Sequence, residues 1–315
     1  MELVNKAATH SHQGKAPEIW AINSGKGGVG KTFITSSLGL TLSKLNYNVL
    51  IVDLDLSGAN MHTALGLKPS HLNMRHFLDE QKSLSEIVIP TPFPKLSYIQ
   101  GVWDLWVPFD LSKFDEFKMS AELKKLKYDY ILVDFGVGPF EKFFNMFLEC
   151  DQRIVVSSPE PTSIEKTYRF IESYICQNLK SKATPEAYHK LINTLRDFRH
   201  NVLDNPFSFK SYLKENDGLT LEPFNKLNRE PLKLLINGIR SQSLMDLGYS
   251  MKSVCNKYYG LNVDYIGHIE FDNSVWQSVK NMEPVLIAQP FTPVAGQFLS
   301  ICKYLADSKE IQVAA

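Results

Sequence analysis

The sequence contains only four cysteines in 315 residues, and no two of them are closely spaced. Because Cys150, Cys176, Cys255 and Cys302 form no C-x-x-C pair, the spacing does not suggest a zinc site or an iron–sulfur cluster within one chain. We interpret them as core thiols of a protein in a reducing compartment.

The chain also lacks an excess of charge of either sign, since 34 Lys and Arg residues balance 34 Asp and Glu residues. This balance argues against a protein whose main role is to coat nucleic acid, although it is compatible with a local basic surface. No window approaches 18 consecutive apolar residues, and the first residues lack the apolar core of a signal peptide. We therefore expect neither a secreted nor a membrane-spanning protein, and we interpret residues 1–16 as a flexible arm.

Short apolar segments rich in β-branched residues alternate with segments of helical periodicity. The predicted strands are 18–23, 48–56, 96–102, 128–135, 153–160, 232–238 and 263–269, and the predicted helices include 31–46, 112–127, 162–179 and 241–259. This alternation predicts an α/β fold with a doubly wound, mostly parallel sheet flanked by helices. We expect a single domain over residues 17–315, with a mostly helical insertion at about 180–230.

The stretch "SGKGGVGKT", residues 24–32, matches the pattern Gly-x-x-x-x-Gly-Lys-Thr between a predicted strand and a predicted helix. Its glycines allow backbone N–H groups to approach phosphate oxygens, and the N-terminus of the following helix favours negative charge. We expect Lys31 to reach the β- and γ-phosphates and the Thr32 hydroxyl to ligate Mg²⁺. The predicted nucleotide-binding residues here are Gly25, Lys26, Gly27, Gly28, Val29, Gly30, Lys31, Thr32 and Phe33.

Carboxylates stand at the ends of two further predicted strands, Asp53 and Asp55 after one and Asp134 after the other. Because ligands of open α/β sheets bind beyond the carboxyl ends of the strands, we expect these groups near the γ-phosphate and its metal ion. Asp53 and Asp134 are predicted to support Mg²⁺ through its water ligands. Gly136 and Gly138 predict a mobile loop that senses the γ-phosphate.

The segments "SGKGGVGKT", "VDLDLSGAN" and "SSPEPTSIEKTYRFI" follow one another in the order typical of the MinD/ParA family of deviant P-loop ATPases. The sequence resembles this family over nearly the whole chain apart from residues 1–16 and the insertion. Within the family it is most similar to the MinD-like branch that contains the flagellar-number regulator FlhG. The resemblance implies ATP and Mg²⁺ as ligands and a slow, dimerisation-dependent ATPase activity.

Residue roles also follow from the resemblance. Lys26 corresponds to the signature lysine, which crosses to the nucleotide of a partner subunit, and Asp55 to the residue that positions the hydrolytic water. Asn237 corresponds to the asparagine that recognises adenine. The implied switch residues are Asp55, Asn60, Asp134, Gly136 and Gly138.

The biological role implied by the resemblance is a molecular switch that positions a cellular structure, or regulates its number, with flagella or a polar organelle as examples. Such a switch is a homodimer in its ATP state, recruits protein partners and acts in the cytoplasm, at a cell pole or at the inner membrane surface. Because the segment "PVAGQFLSICKYLADSKEIQVAA" has few basic residues, we expect a core-packing helix there and not a basic membrane anchor.

Other function classes remain open from the sequence. A ParA-type DNA partition ATPase would need a basic surface on the ATP dimer, which neutral overall charge makes less favoured. An iron–sulfur carrier of the same superfamily would need a cysteine pair that this chain lacks. A nucleotide-binding scaffold with little hydrolysis is the remaining alternative.

Overall fold

The computed structural model of the protein describes residues 16–55, 58–102, 114–136, 142–182, 184–190, 192–193, 209–216 and 218–313. The chain separates into two compact units. The first comprises the described residues within 1–23, 30–152 and 271–315, and the second those within 24–29 and 153–270.

Eight described strands belong to a mostly parallel sheet with flanking helices. The strands are β1 (Glu18–Asn23), β2 (Val49–Leu54), β3 (Ile89–Pro90), β4 (Leu96–Ile99), β5 (Tyr130–Phe135), β6 (Gln152–Ser157), β7 (Leu232–Ile239) and β8 (Val263–Glu270). The helices are α1 (Lys31–Lys44), α2 (Met61–Ala64), α3 (Met74–Leu78), α4 (Glu116–Lys125), α5 (Phe144–Glu149), α6 (Pro161–Lys182), α7 (Phe209–Asn216), α8 (Gly218–Leu227), α9 (Leu247–Val254), α10 (Asn273–Asn281), α11 (Val285–Ala288) and α12 (Pro293–Val313).

In the first unit the strands follow the order β3-β4-β2-β5-β1. All neighbours are parallel except β3 and β4, which are antiparallel. Strands β1, β2 and β5 are buried along their whole length, as expected for apolar strands that are covered on both faces. The register places Asp53 of β2 opposite Asp134 of β5, so two of the predicted site carboxylates share one edge of the sheet.

The C-terminal helix α12 packs against α1 within the first unit. Its buried side chains are Val294, Phe298, Ile301, Cys302 and Leu305. The ring of Phe298 meets that of Phe33 edge to face at a centroid distance of 5.6 Å, and the Cys302 thiol points at the backbone oxygen of Leu38. The expectation of a core-packing helix is confirmed for the described side chains of α12.

The second unit contains β6, β7 and β8 in parallel order, together with α6 to α9. Helix α6 buries one face, including Phe170, Ile171 and Tyr174. Within the predicted insertion at about 180–230, residues 185–190 are helical, and α7 and α8 lie further along the chain. The part of the predicted insertion at 194–208 lies outside the described residues, and the domain boundaries that we predicted stay predictions.

The predicted α/β fold class is confirmed, and each of the seven predicted strands has a counterpart. The sequence prediction missed β3, a two-residue antiparallel strand at the edge of the sheet that is too short for a periodic signal. The predicted helix at 241–259 is wrong in its continuity, because a 3₁₀ turn at Gln242–Leu244, α9 and a π-helix at Cys255–Tyr259 divide it. Cys150, Cys255 and Cys302 are buried as predicted, whereas Cys176 is half-buried. No helix in the described part of the chain is both long and apolar enough to cross a membrane.

Candidate functional site

In the first unit, the predicted phosphate-binding residues stand at the start of α1. Gly30 is the N-cap of this helix with φ of +93°, a left-handed conformation that favours glycine. Lys31 and Thr32 are the first two helical residues, and Phe33 anchors the same turn against Phe298. The geometry therefore places the Lys31 and Thr32 side chains at a positively polarised helix end.

Thr32 and Asp134 are joined by a hydrogen bond in which the threonine hydroxyl donates to Oδ2 at 2.7 Å. The other oxygen, Oδ1, is buried and receives no hydrogen bond within the described part of the chain. Thr35, one turn further along α1, donates its own hydroxyl to the Lys31 carbonyl at 3.0 Å. A hydroxyl beside a buried carboxylate with a spare oxygen is a donor set that suits Mg²⁺ or its water ligands.

The electrostatics of this cluster also suit a cation. Burial raises the pKa of Asp134, while the Thr32 hydrogen bond and the nearby Lys31 ammonium act in the opposite direction. Burial lowers the pKa of Lys31, and Asp134 and Asp55 counteract this shift. In the described residues no group of three or more His, Cys, Asp or Glu side chains is arranged to hold a metal alone. A metal ion here would need ligands from outside the protein, such as water and phosphate.

Both carboxylate oxygens of Asp53 accept hydrogen bonds from backbone N–H groups of later residues. Its Oδ1 accepts from the N–H of Asp55 at 3.0 Å and its Oδ2 from the N–H of Met61 at 3.2 Å. Burial and then the neighbouring Asp134 raise its pKa. Asp53 therefore holds the backbone at Asp55 and Met61, and its lone pairs are less available to a metal ion than those of Asp134.

Asp55 follows β2 and is half-buried. Its carboxylate lies close enough to Lys31 and Asp134 to influence the pKa of both. Gly136, after β5, packs directly against it, since a Cβ built on Gly136 would lie 2.9 Å from Asp55 Oδ1. Asn60 is the N-cap of α2 and accepts the Thr63 N–H through its backbone oxygen at 3.0 Å. Gly138 lies outside the described residues.

In the second unit, residues 24–29 form the rest of the glycine-rich stretch. A Cβ on Gly25 would lie 2.1 Å from the backbone oxygen of Lys166 in α6, so only glycine fits. Gly28 has φ of +79°, which again favours glycine. The Ser24 hydroxyl donates to the Lys26 carbonyl at 2.7 Å. Gly27 is exposed and Val29 is buried.

Lys26 contacts the segment that precedes α6. Its Nζ lies 3.3 Å from Glu160 Oε2 and donates to Thr162 Oγ1 at 3.1 Å. A hydrogen bond from Ser158, and then Lys26, lower the pKa of Glu160. The Lys26 and Glu160 side chains are 31% and 63% exposed, so this ion pair is well solvated and weak.

Asn237, near the end of β7, donates its side-chain amide to the Val29 carbonyl at 2.7 Å. The next residue, Gly238, has φ of +81°. This hydrogen bond connects Asn237, the predicted adenine-recognition residue, to the glycine-rich stretch. The side-chain oxygen of Asn237 does not take part in this bond.

Sequence reasoning missed three residues beside the predicted ones. Glu160 and Thr162 contact Lys26, and Gly101, after β4, packs against Asp53. Glu160 and Thr162 lie in the "SSPEPTSIEKTYRFI" segment, whose match to the family could have directed attention to them. Gly101 lies within the predicted strand 96–102 with no motif around it, so no signal in one sequence identifies it.

Comparisons with known proteins identify the family to which the chain is similar. A family model described as an AAA domain matches residues 17–183. The Flagellum site-determining protein YlxH of Helicobacter pylori is 31% identical over 202 residues, 60% of this chain and 62% of that protein. The Septum site-determining protein MinD of the same organism is 28% identical over 183 residues, 56% of this chain and 67% of that protein.

Solved structures share the fold. The septum site-determining protein MinD from Pyrococcus horikoshii OT3, complexed with Mg-ADP, aligns with a TM-score of 0.62 at 21% identity, covering 94% of this chain and 98% of its own. At this level of identity the similarity supports the fold alone. The family-model match over residues 17–183, together with the YlxH and MinD relatives, shows that the chain belongs to the MinD/ParA family of P-loop ATPases.

Proposed function

We propose that this protein is an ATP-dependent molecular switch, in which binding of MgATP joins two copies into a dimer and slow hydrolysis to ADP and phosphate separates them. The relatives named above are a flagellum site-determining and a septum site-determining protein. By analogy, the dimer recruits protein partners in the cytoplasm and positions a cellular structure or limits its number.

The observation that carries the proposal is the Thr32–Asp134 pair. The hydroxyl holds one carboxylate oxygen at 2.7 Å while the other is buried without a partner in the described residues. An orphaned buried carboxylate oxygen is costly unless a ligand uses it. When bound, Mg²⁺ neutralises charge on the β- and γ-phosphates. Thr32 is the residue proposed to contact the ion, and Asp134 to hold one of its waters.

Lys31 and Asp55 provide the chemistry in the same unit. Lys31 is buried, and its ammonium faces two carboxylates, so a phosphate of the nucleotide can replace them as its counter-charge. Asp55, half-buried after β2, is proposed to orient the attacking water and accept its proton. These roles require that Asp55→Ala lower the rate of hydrolysis about 10²- to 10⁴-fold while leaving nucleotide binding intact.

Lys26 is the residue proposed to make hydrolysis depend on dimerisation. Three phosphates carry several negative charges, and a second cation that arrives from a partner copy links their neutralisation to dimer formation. In this structure Lys26 contacts only weak, solvated partners, Glu160 and Thr162, among the bonds described for it. Its release therefore costs little.

Light scattering on the purified full chain tests the switch. Wild type and Asp55→Ala should both be dimeric with MgATP and monomeric with MgADP. The MgATP dimer of Asp55→Ala should persist longer than that of wild type, because this variant hydrolyses ATP far more slowly. Lys26→Ala should bind ATP but remain monomeric, with Lys44→Ala, a lysine at the far end of α1, as the charge control. If wild type and Asp55→Ala are both monomeric with MgATP, the proposal of an ATP-dependent dimeric switch is wrong. If Lys26→Ala dimerises and hydrolyses normally, the role of Lys26 is wrong.

Localisation in live cells tests the spatial role. Asp55→Ala, trapped as an ATP dimer, should accumulate at the structure that the protein serves, whereas Lys26→Ala should be diffuse. Diffuse fluorescence of both variants would contradict this role. A mobility shift with DNA that requires ATP and weakens with salt would instead favour a DNA partition ATPase, and a measured turnover near zero would favour a nucleotide-binding scaffold.

A further inference from the structure

Two glycines enclose the start of the first switch, which we define as residues 53–60. Strand β2 lies between β4 and β5, and each neighbour is followed by a glycine, Gly101 and Gly136. A Cβ on Gly101 would lie 2.8 Å from the backbone oxygen of Asp53, and one on Gly136 would lie 2.9 Å from the Cα of Asp55. The backbone at Asp53 and Asp55 therefore leaves no room for a side chain at position 101 or 136.

Glycine is required at position 136 because a side chain has no room there, and not because of the backbone conformation. The φ angle of Gly136 is not positive, so an L-residue could adopt its backbone conformation. A Cβ there would meet Asp55 at three atoms, with Cα and Oδ1 at 2.9 Å and Cγ at 3.0 Å. Real Cβ atoms rarely approach other atoms closer than 3.4 Å. A methyl group at position 136 must therefore push the Asp55 carboxylate away by several tenths of an ångström.

We propose that Gly136 is a positioning residue for Asp55, whose close backbone contact fixes the carboxylate where it orients the attacking water. This inference rests on the proposed function. It also gives Gly136 a role other than loop mobility. Because Asp134 lies two residues earlier and is bonded to Thr32, the same strand end contacts the proposed metal side and the water-positioning side of the site.

Gly136→Ala should lower kcat and leave nucleotide affinity nearly unchanged. Displacing a catalytic group by a fraction of an ångström to 1 Å costs about 10- to 100-fold in rate. The three atoms nearest to a Cβ at position 136 all belong to Asp55. None belongs to Lys31 or Thr32, the residues proposed to bind the nucleotide and its metal ion. We therefore expect a change of no more than about twofold in the affinity for ADP.

Steady-state ATPase assays and binding of a fluorescent ADP analogue, both on the full chain, measure these two quantities. Gly296→Ala is the matched control, because a Cβ at that position in α12 meets nothing within 4 Å among the described residues. The proposal is overturned if kcat of Gly136→Ala is within twofold of the control. It is also overturned if kcat and ADP affinity fall by the same factor, since that result indicates a general structural defect.

A double-mutant cycle with Asp55→Ala separates positioning from folding. In the Asp55→Ala background, Gly136→Ala should reduce the residual rate no further, because the carboxylate that it displaces is gone. In the Asp55→Ala background only the contact with the Cα of residue 55 remains, so Gly136→Ala should lower the free energy of unfolding in urea by less than it does in wild type. An equal loss of stability in the two backgrounds, or additive losses of rate, would refute the proposal.

A crystal structure of Gly136→Ala distinguishes failure of this inference from failure of the proposed function. Asp55 should be displaced relative to wild type whether or not the wild-type protein hydrolyses ATP. An unmoved Asp55 overturns the inference. An inactive wild type with a displaced Asp55 in the variant overturns the proposed function instead.

Discussion

Replacing Glu160 with glutamine should strengthen the ATP-dependent dimer. Lys26 must leave Glu160 before it can reach a partner copy, and the two groups lie 3.3 Å apart with exposed side chains. Exposed ion pairs contribute about 0.2–1 kcal/mol to stability, so their removal corresponds to a factor of about 1.5 to 5 in an equilibrium constant. Because each of the two copies releases one such pair when the dimer forms, the dimer dissociation constant of Glu160→Gln should be lower than that of wild type by the square of this factor, about 2- to 30-fold.

Sedimentation equilibrium with Mg²⁺ and a non-hydrolysable ATP analogue measures this constant. Glu165→Gln is the matched control, since it removes the same charge from the same part of the chain and its own ion partner is Arg169, not Lys26. The difference between the two variants should shrink between 50 mM and 300 mM salt, because ions screen solvated pairs over roughly 6–14 Å in this range. A weaker dimer in Glu160→Gln, or equal constants in the two variants, would refute the reasoning.

Three further predictions concern stability and specificity. Phe298→Ala should lower the free energy of unfolding in urea by about 3–5 kcal/mol, because the ring is fully buried against α1, whereas Tyr304→Ala on an exposed part of α12 should cost less than about 1 kcal/mol; similar losses in both would contradict this packing. The pKa of Asp53 is raised by burial and by Asp134, so the folded state holds a proton that the unfolded state releases, and nucleotide-free protein should lose stability from about pH 4 towards pH 8. Thermal melts should show a flatter pH dependence for Asp53→Asn, and an unchanged slope would show that Asp53 is ionised in the folded state. Asn237→Ala should reduce the preference for ATP over GTP in competition binding about 5- to 50-fold, as expected for losing a hydrogen bond to a base; an unchanged preference would remove Asn237 from base recognition.

The sheet and the glycine-rich stretch were predictable from sequence because their physical requirements are local. Strands buried on both faces need continuous apolar runs, and β1, β2 and β5 show them. Gly28 and Gly30 have positive φ, so each of these two glycines is fixed by the conformation of the loop itself.

Contacts between distant segments were not predictable in this way. Lys26 and Glu160 are separated by 134 positions, and Gly101 meets Asp53 only because β4 and β2 are neighbours in the sheet. The alternation of apolar residues predicts that strands exist but not the register that brings Asp53 opposite Asp134. Similarly, a two-residue edge strand such as β3 gives no periodic signal, because its pairing depends on where β4 lies.

The contact between α12 and α1 matters for how this protein can be engineered. Phe298 packs on Phe33, and Phe33 is adjacent to Thr32, the proposed magnesium ligand. Shortening the chain from its C-terminal side into α12 would therefore loosen the helix that carries Lys31 and Thr32. A loss of nucleotide binding in such a deletion series would report this mechanical support, and it could be mistaken for the loss of a partner-binding or membrane-targeting tail.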